Sequence, residues 1–242
     1  MFDDYADHFE DKLVNALKYS VPVSIAQTAS ERSKSRGDEH TYHSVFDAGC
    51  GTGLMGPHLR KLVTTSGTIV GADLSPKMLA LAAELVKSDG VILRRCAESA
   101  RLALGHERLY DGVFVGDLLD LDNGVAPLEG FGHDMTVLPH SFDLVVSADV
   151  LCYFGDLGAV LDAFARRLAP GGDLIFSTET IKEGDYNWIM LPSERYAHEP
   201  GYVARIASGV GLELVSQDAF TPRMEAGEKV LGTMHVFHKP MQ

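Results

Sequence analysis

The stretch VFDAGCGTGLMG, residues 45–56, places an aspartate after an apolar run and then four glycines within eight residues. Glycine has no Cβ, so a glycine turn between a strand and a helix lets a ligand approach the backbone N–H groups at the helix start. Two kinds of ligand fit. The last three glycines satisfy the GxGxxG spacing of dinucleotide-binding proteins, with Asp73 about 20 residues further on. The carboxylate of Asp47 instead favours a cationic ligand, because it would repel a pyrophosphate.

An aspartate ends each of the first three strands that the pattern predicts, at Asp47, Asp73 and Asp117. Open parallel sheets bind ligands along the edge where their strands end. A ligand with an ammonium group, a ribose and an adenine amino group would satisfy the three carboxylates in order. S-adenosylmethionine carries all three groups, so the aspartates favour it over a dinucleotide.

Strands and helices alternate from Val45 onwards, which is typical of an α/β fold with a parallel sheet covered on both faces. The pattern predicts strands at SVFDAG, TIVGADL, DGVFVGD, SFDLVVSADVL, DLIFSTE, LELVSQDAF and VLGTMHVFHK, with a turn at LAPGG. It predicts helices at residues 4–17 and at GLMGPHLRKLV, KMLALAAELVK, DLGAVLDAFARRLA and GYVARIASGVG. Residues 30–43 read as a polar loop. Residues 88–108 fit a strand or a helix, and the helical spacing of their apolar residues favours a helix.

The length and composition predict one folded domain over residues 1–242. A helix and a polar loop are predicted at 1–43, and the alternating strands and helices of the core at 44–242. A net charge of -13 argues against nucleic acid as a partner, because nucleic-acid binders present basic surfaces. No signal peptide and no apolar run of about 20 residues is readable, so we expect a cytoplasmic protein without a membrane partner. The three cysteines form no CxxC pair, and we predict no metal site. The sequence leaves the oligomeric state open.

Several stretches resemble the class I S-adenosylmethionine-dependent methyltransferases: DAGCGTG at 47–53, ADLSPKML at 72–79, GD at 116–117 and LAPGG at 168–172. Three others, YADHFEDKLVNALKY, SADVLCYFGDL and LPSERYAHEPGYV, are similar to the predicted methyltransferases often joined to TPR repeats and their relatives from the Williams–Beuren region. The resemblance implies a Rossmann-like, mostly parallel seven-stranded sheet whose last strand is antiparallel.

The same resemblance implies how the cofactor would be bound, with S-adenosylhomocysteine as the product. Asp73 would bind the ribose hydroxyls, Asp117 the adenine amino group, and Asp47 the methionine ammonium. The full cofactor set that it implies is Asp47, Gly49, Cys50, Gly51, Gly53, Asp73, Leu74, Met78, Asp117, Leu118 and Ser147.

Candidates for work on the methyl acceptor lie in two segments. Asp149 is placed by the resemblance near the methyl group, although it could equally fix the next loop, and Tyr153 either lines the pocket or packs. In LPSERYAHEP, Arg195 could clamp a carboxylate, Tyr196 offers a phenol and His198 could act as a base. Pro192 and Pro200 could instead frame a structural turn there.

Tyr5 and His8 share a predicted helix face near the N-terminus, which in similar methyltransferases folds over the cofactor as a lid and contacts the substrate. An ordinary amphipathic helix packed on the domain is the alternative. The function predicted from all these features is methyl transfer to an oxygen, nitrogen or sulfur atom of a small molecule. A protein methyltransferase and a non-catalytic cofactor-binding module are the alternatives.

Overall fold

The computed structural model describes residues 18–37, 42–88, 91–94, 107–129, 135–181 and 185–241. Its helices are α1 (Val21–Ser35), α2 (Gly56–Leu59), α3 (Pro76–Ala83), α4 (Gly158–Arg167) and α5 (Pro200–Gly209), with 3-10 turns η1 (Leu118–Asp120) and η2 (Leu151–Tyr153). Its strands are β1 (Tyr42–Ala48), β2 (Val63–Asp73), β3 (Leu85–Ser88), β4 (Val91–Arg94), β5 (Glu107–Arg108), β6 (Gly112–Gly116), β7 (Val125–Pro127), β8 (Phe142–Ser147), β9 (Leu168–Thr180), β10 (Trp188–Met190), β11 (Tyr196–His198), β12 (Glu213–Phe220), β13 (Met224–Glu225), β14 (Glu228–Lys229) and β15 (Gly232–His238).

Seven of these strands form the centre of one sheet, in the order β12-β15-β9-β8-β1-β2-β6. Strands β9, β8, β1, β2 and β6 pair in parallel, and β15 is antiparallel to both of its neighbours. Short strands β7, β10 and β11 extend the sheet to ten strands. The predicted Rossmann-like sheet of seven strands with an antiparallel last strand is therefore confirmed.

Helices cover both faces because successive residues of a strand point to opposite sides. On β1, Phe46 packs with Phe142 at a ring-centroid distance of 5.1 Å, in the core beneath α4 and α5. Its neighbour Val45 lies in the other core, together with Ile25 of α1 and Leu79 of α3. The alternation thus fixes which core each residue of β1 enters.

Strand β9 extends beyond the end of β8 and there gains a new neighbour. Glu179 of β9 pairs with Gly232 of β15 on one side and with Ala197 of β11 on the other. The β10–β11 hairpin therefore stands above the carboxyl end of β8, and its loop carries Arg195 towards that edge of the sheet.

The helix predicted over residues 88–108 is wrong wherever the structure describes that segment. Strands β3 and β4 form an antiparallel pair from Leu85 to Arg94, and β5 pairs with β3. The β-branched Val91 and Ile92 favour this extended pairing over a helix. The preceding helix, predicted through Lys87, accordingly ends at Ala83. The remaining apolar positions of the proposed helix face, Ala97, Ala100 and Leu104, lie outside the described residues.

Three further predictions about local structure need correction. The polar loop predicted from residue 30 begins later, because α1 runs to Ser35 and buries every fourth residue from Val21 to Ser33. The helix after the glycine turn is only the single turn α2, because its predicted end already belongs to the long strand β2. The LAPGG turn lies inside β9, where Gly171 with φ of +80° accompanies a shift in the pairing with β8.

The helix predicted at residues 4–17, with Tyr5 and His8, lies outside the described residues. Among the helices that the structure does describe, none is long and apolar enough to cross a membrane.

Candidate active site

The glycine turn follows β1 and is tied to the neighbouring strand. The N–H groups of Gly49 and Cys50 donate to the Ala72 carbonyl at 2.8 and 3.0 Å. Gly49 has φ of +79°, and a Cβ added there would lie 2.4 Å from Cγ2 of Val150. Gly51 also has positive φ, but a Cβ there would meet nothing within 4 Å. Gly49 is therefore required for packing, whereas Gly51 leaves its backbone open to a ligand.

Asp47 lies buried at the base of this turn. Its Oδ2 accepts a 2.6 Å hydrogen bond from the Tyr110 hydroxyl, and its Oδ1 has no partner among the described residues. Burial raises the pKa of Asp47 to about 7, against the opposing effect of the Tyr110 hydrogen bond, and Asp73 raises it further. A buried carboxylate oxygen without a donor is costly, so this position fits an ammonium group of a ligand.

Asp73 and Asp117 follow as predicted at the ends of β2 and β6. Asp73 accepts hydrogen bonds from the N–H groups of Gly51 and Ser75, each at 2.9 Å, so it braces the glycine turn as well as facing the ligand side. Asp117 is exposed and accepts from the N–H of Leu119 at 2.9 Å, which caps η1. Leu74 lies exposed beside them and lines the same edge of the sheet.

Two adjoining hollows follow this edge of the sheet. They share Gly49, Asp73, Val150 and Tyr153 and therefore form one elongated space, called the cleft below. The first hollow includes Asp47 and the glycine turn, and the second includes the residues around Asp117. A ligand that reaches from an ammonium group to an adenine would lie along the cleft in the predicted order.

The far wall of the cleft holds an ionic network. Arg195 donates through Nη1 to Oδ2 of Asp149 at 2.9 Å and through Nη2 to the Tyr153 hydroxyl at 2.9 Å. Its guanidinium also lies 5.1 Å from the centroid of the Tyr153 ring. The carboxylate of Asp149 and the nearby Cys152 and Tyr153 raise the pKa of Arg195, against the effect of burial, so the guanidinium stays charged. Asp149 itself adopts φ of +59°, a conformation uncommon for a non-glycine residue.

A second pair of charges supports this wall from behind. Arg223 donates to Oε1 of Glu179 at 2.7 Å and approaches Oδ1 of Asp149 at 3.4 Å, and Arg223 and Glu179 are each 3% exposed. Asp149, Cys152 and Glu179 lie close enough together to be considered as metal ligands. Because both carboxylates are already paired with guanidinium groups, this cluster is explained as a salt-bridge network without a metal ion.

The structure brings most of the predicted site residues together at the cleft. The predicted residues that line it are Asp47, Gly49, Cys50, Gly51, Asp73, Leu74, Met78, Asp117, Leu118, Asp149, Tyr153 and Arg195. Two predicted cofactor residues are structural instead. Gly53 packs against Leu85 and Ala82, and the buried hydroxyl of Ser147 donates to the Ala48 carbonyl at 2.8 Å.

His198 and Tyr196 do not line the cleft, so the geometry contradicts their prediction as catalytic residues. His198 is fully buried and its Nε2 lies 3.0 Å from the carbonyl oxygens of Phe154 and Gly155, to which it donates. Burial lowers the pKa of His198, which keeps the ring neutral. Tyr196 packs edge-on against Trp188 at 5.5 Å.

Sequence reasoning missed four residues that shape the site: Tyr19, Tyr110, Glu179 and Arg223. Tyr19 lines the cleft, and burial together with Asp149 raises the pKa of its phenol. Ser20 holds it there, since its N–H donates to the Pro222 carbonyl at 3.0 Å. Tyr19 ends the YADHFEDKLVNALKY stretch, so the resemblance contained a signal for it. Tyr110, Glu179 and Arg223 lie outside the sequence motifs, so no signal in the sequence pointed to them.

This sheet and this cleft define the class I methyltransferase fold, and the comparisons with known proteins agree. The model of the methyltransferase domain family matches residues 46–176, more than half of the chain, so the chain belongs to that family. A malonyl-[acyl-carrier protein] O-methyltransferase of Yersinia pestis is 25% identical over 189 residues, which are 76% of this chain. The match spans only 55% of that relative.

Solved structures show the same fold at low sequence identity. The 1,6-didemethyltoxoflavin-N1-methyltransferase of Burkholderia thailandensis, with bound S-adenosylhomocysteine, aligns with a TM-score of 0.61 at 12% identity and covers 99% of this chain and 85% of its own. The magnesium protoporphyrin IX methyltransferase of Synechocystis, with bound S-adenosylmethionine, aligns with a TM-score of 0.54 at 17% identity and covers 90% and 80%. The residues of the cleft fit the same cofactor.

Proposed function

We propose that this protein transfers the methyl group of S-adenosylmethionine to a small-molecule acceptor. The observation that carries the proposal is the Oδ1 of Asp47, which has no partner among the described residues and is buried at one end of a cleft that passes Asp73 and reaches Asp117. When bound there, the cofactor supplies an activated methyl group, and the protein's task is to hold an acceptor in line with it.

Asp47 would bind the ammonium group, Asp73 the ribose and Asp117 the adenine amino group, with Leu118 beside the ring. The carboxylate at Asp47 disfavours a pyrophosphate at the same turn. A dinucleotide is therefore the weaker alternative, although the glycine spacing permits it.

The cleft favours an acceptor that needs no deprotonation. His198 is withdrawn from it, and the phenol of Tyr19 keeps its proton because burial raises its pKa. Asp149 is held in a salt bridge. A general base is not needed when the acceptor is a free amine, a thioether or an ionised acid.

The net charge of -13 supports an acceptor other than nucleic acid. The cytoplasmic location, the single-domain organisation and the closer likeness to the TPR-associated and Williams–Beuren-region methyltransferases belong to this proposal as well. They rest on the sequence patterns described above.

Cofactor binding is tested first, by titration calorimetry with S-adenosylhomocysteine and, in competition, with NAD. We expect S-adenosylhomocysteine to bind and NAD not to compete. Asp73→Ala should weaken binding by about tenfold or more, since hydrogen bonds to a charged group contribute about 1.5–3 kcal/mol. Asp218→Ala, which removes an exposed carboxylate from β12, is the matched control and should not change the affinity.

Transfer is tested with methyl-labelled S-adenosylmethionine and a cell extract, separated into small molecules and macromolecules. Label among small molecules supports the proposal. Label on protein would replace it with a protein methyltransferase, and cofactor binding without any transfer would favour a non-catalytic module.

A further inference from the structure

The guanidinium of Arg195 is fixed on one side and open on another. It donates to Asp149 and Tyr153, and at 3.4 Å to Oε1 of Glu179. A guanidinium carries five N–H donors, so these three contacts leave two donors without a partner among the residues that the structure describes. The Arg195 side chain is 18% exposed and lines the cleft, so a bound molecule can reach them.

Arg223 shares the carboxylates that hold Arg195 in place. Asp149 and Glu179 each contact both arginines. Glu225, which is largely exposed, also pairs with Arg223 at 3.1 Å, so the two guanidinium groups face three carboxylates. The guanidinium of Arg195 is thereby fixed, and its two remaining N–H donors offer charge-assisted hydrogen bonds to an anion in the cleft.

The charge and geometry select one kind of anion. An ammonium-bearing acceptor would be repelled by Arg195, and its positive charge would add to that of the cofactor. A phosphate dianion would face Asp47, Asp73 and Asp149 along the same cleft. A carboxylate carries a single charge, and its two oxygens match two N–H donors.

We propose that the acceptor is a small carboxylic acid, bound as its carboxylate by Arg195 and methylated on a carboxylate oxygen; this rests on the proposed function. The oxygen forms a bond to the methyl carbon as the bond from that carbon to sulfur breaks, and the electron pair of the broken bond stays on sulfur. No proton is transferred, which agrees with the lack of a free histidine among the described residues that line the cleft. The products are a methyl ester and S-adenosylhomocysteine.

The binding test uses protein saturated with S-adenosylhomocysteine and matched probes: acetate, hexanoate, benzoate and succinate against acetamide, hexanamide, benzamide and succinamide. Affinities are measured by ligand-observed NMR. At least one acid should bind about tenfold or more tightly than its amide, because only the acid forms charge-assisted hydrogen bonds. Equal affinities for every pair would overturn the proposal.

Variants then assign the selectivity to Arg195. Arg195→Gln should remove the preference for the acid and Arg195→Lys should reduce it, and titration of each variant with S-adenosylhomocysteine checks that the cleft is still formed. Arg205→Gln, which removes an exposed arginine of α5, is the control and should keep the preference. A preference that survives in Arg195→Gln would overturn the assignment. Failure of the wild type to bind S-adenosylhomocysteine would instead refute the proposed function.

The product gives an independent measurement. Methyl esters release methanol in mild alkali, whereas methylated amines and thioethers do not. Label transferred from S-adenosylmethionine to small molecules should therefore become volatile after alkaline treatment. Alkali-stable label would overturn the carboxylate acceptor while leaving the methyltransferase function intact.

Discussion

Replacing Tyr110 with phenylalanine should move the pH range in which cofactor affinity changes to higher pH. The Tyr110 hydroxyl donates to Asp47 at 2.6 Å, and burial raises the pKa of the phenol, so it stays a donor. The hydrogen bond stabilises the ionised form of Asp47, whose pKa lies at about 7. The ammonium of the cofactor is expected to bind only that ionised form. Tyr110→Phe should therefore raise the pKa of Asp47 and weaken binding near neutral pH.

The size of the effect follows from the hydrogen bond. A hydrogen bond to a charged group contributes about 1.5–3 kcal/mol, and one pKa unit corresponds to about 1.4 kcal/mol. The pKa of Asp47 should rise by about 1 to 2 units. At pH 7 its ionised fraction would fall from about one half to between about 0.09 and 0.01, so affinity should fall about 5- to 50-fold. At pH 8.5 the same shift leaves only about a 1.3- to 4-fold difference.

The assay is calorimetry with S-adenosylhomocysteine at intervals between about pH 6 and 8.5. Tyr42→Phe is the matched control, because it removes another buried phenol, near Asp173 at the opposite end of β1. It should bind the cofactor as the wild type does at each pH. A loss in Tyr110→Phe that is equal at every pH, or a wild-type affinity that does not change with pH, would refute the reasoning.

Three further predictions concern single residues. The pKa of Asp47 is raised on folding, so its ionisation destabilises the folded protein increasingly from about pH 4 to pH 7. In the cofactor-free protein, the free energy of unfolding of Asp47→Asn relative to wild type, measured by thermal unfolding, should therefore rise by about 2 to 3 kcal/mol between pH 5 and pH 8. The same variant should bind the cofactor more weakly. Gly49→Ala should lose about 1–3 kcal/mol of stability and most cofactor affinity, because Gly49 has a positive φ and lies against Val150. Gly209→Ala is the control, since a Cβ there meets nothing within 4 Å, and it should change stability and cofactor affinity by little. Equal effects of the two substitutions would contradict the packing argument. His198→Gln should lower the free energy of unfolding in denaturant by about 1–2 kcal/mol without changing the pH profile of methyl transfer. If the variant no longer showed the rise of the transfer rate with pH that the wild type shows, His198 would act as a general base after all.

Predicting this fold from sequence worked where the local pattern was long and repeated. The alternation of strands and helices from Val45 produced the sheet, since buried parallel strands read as apolar runs separated by helix signals. It failed at residues 84–94, where apolar residues are compatible with helix and strand alike. The pairing of β3 with β4 and with β5 decides that segment, and the second pairing joins Val86 to Arg108, which a local pattern does not reveal.

The cofactor side of the site was predictable from sequence alone because each of its carboxylates follows directly from the end of a strand. Asp47, Asp73 and Asp117 meet at one edge simply because parallel strands end there. The glycine turn is equally local, since the positive φ of Gly49 is a property of its own backbone.

Only the tertiary structure decided the acceptor side. Glu179 and Arg223 belong to no motif, and they reach Asp149 and Arg195 because β11 and β15 flank the extended end of β9. Arg195 lines the cleft from the loop that precedes β11, whereas His198, three residues further on, is buried against the carbonyl oxygens of Phe154 and Gly155. A sequence lists which groups are available, but charges that are paired across distant strands are set by the packing of those strands.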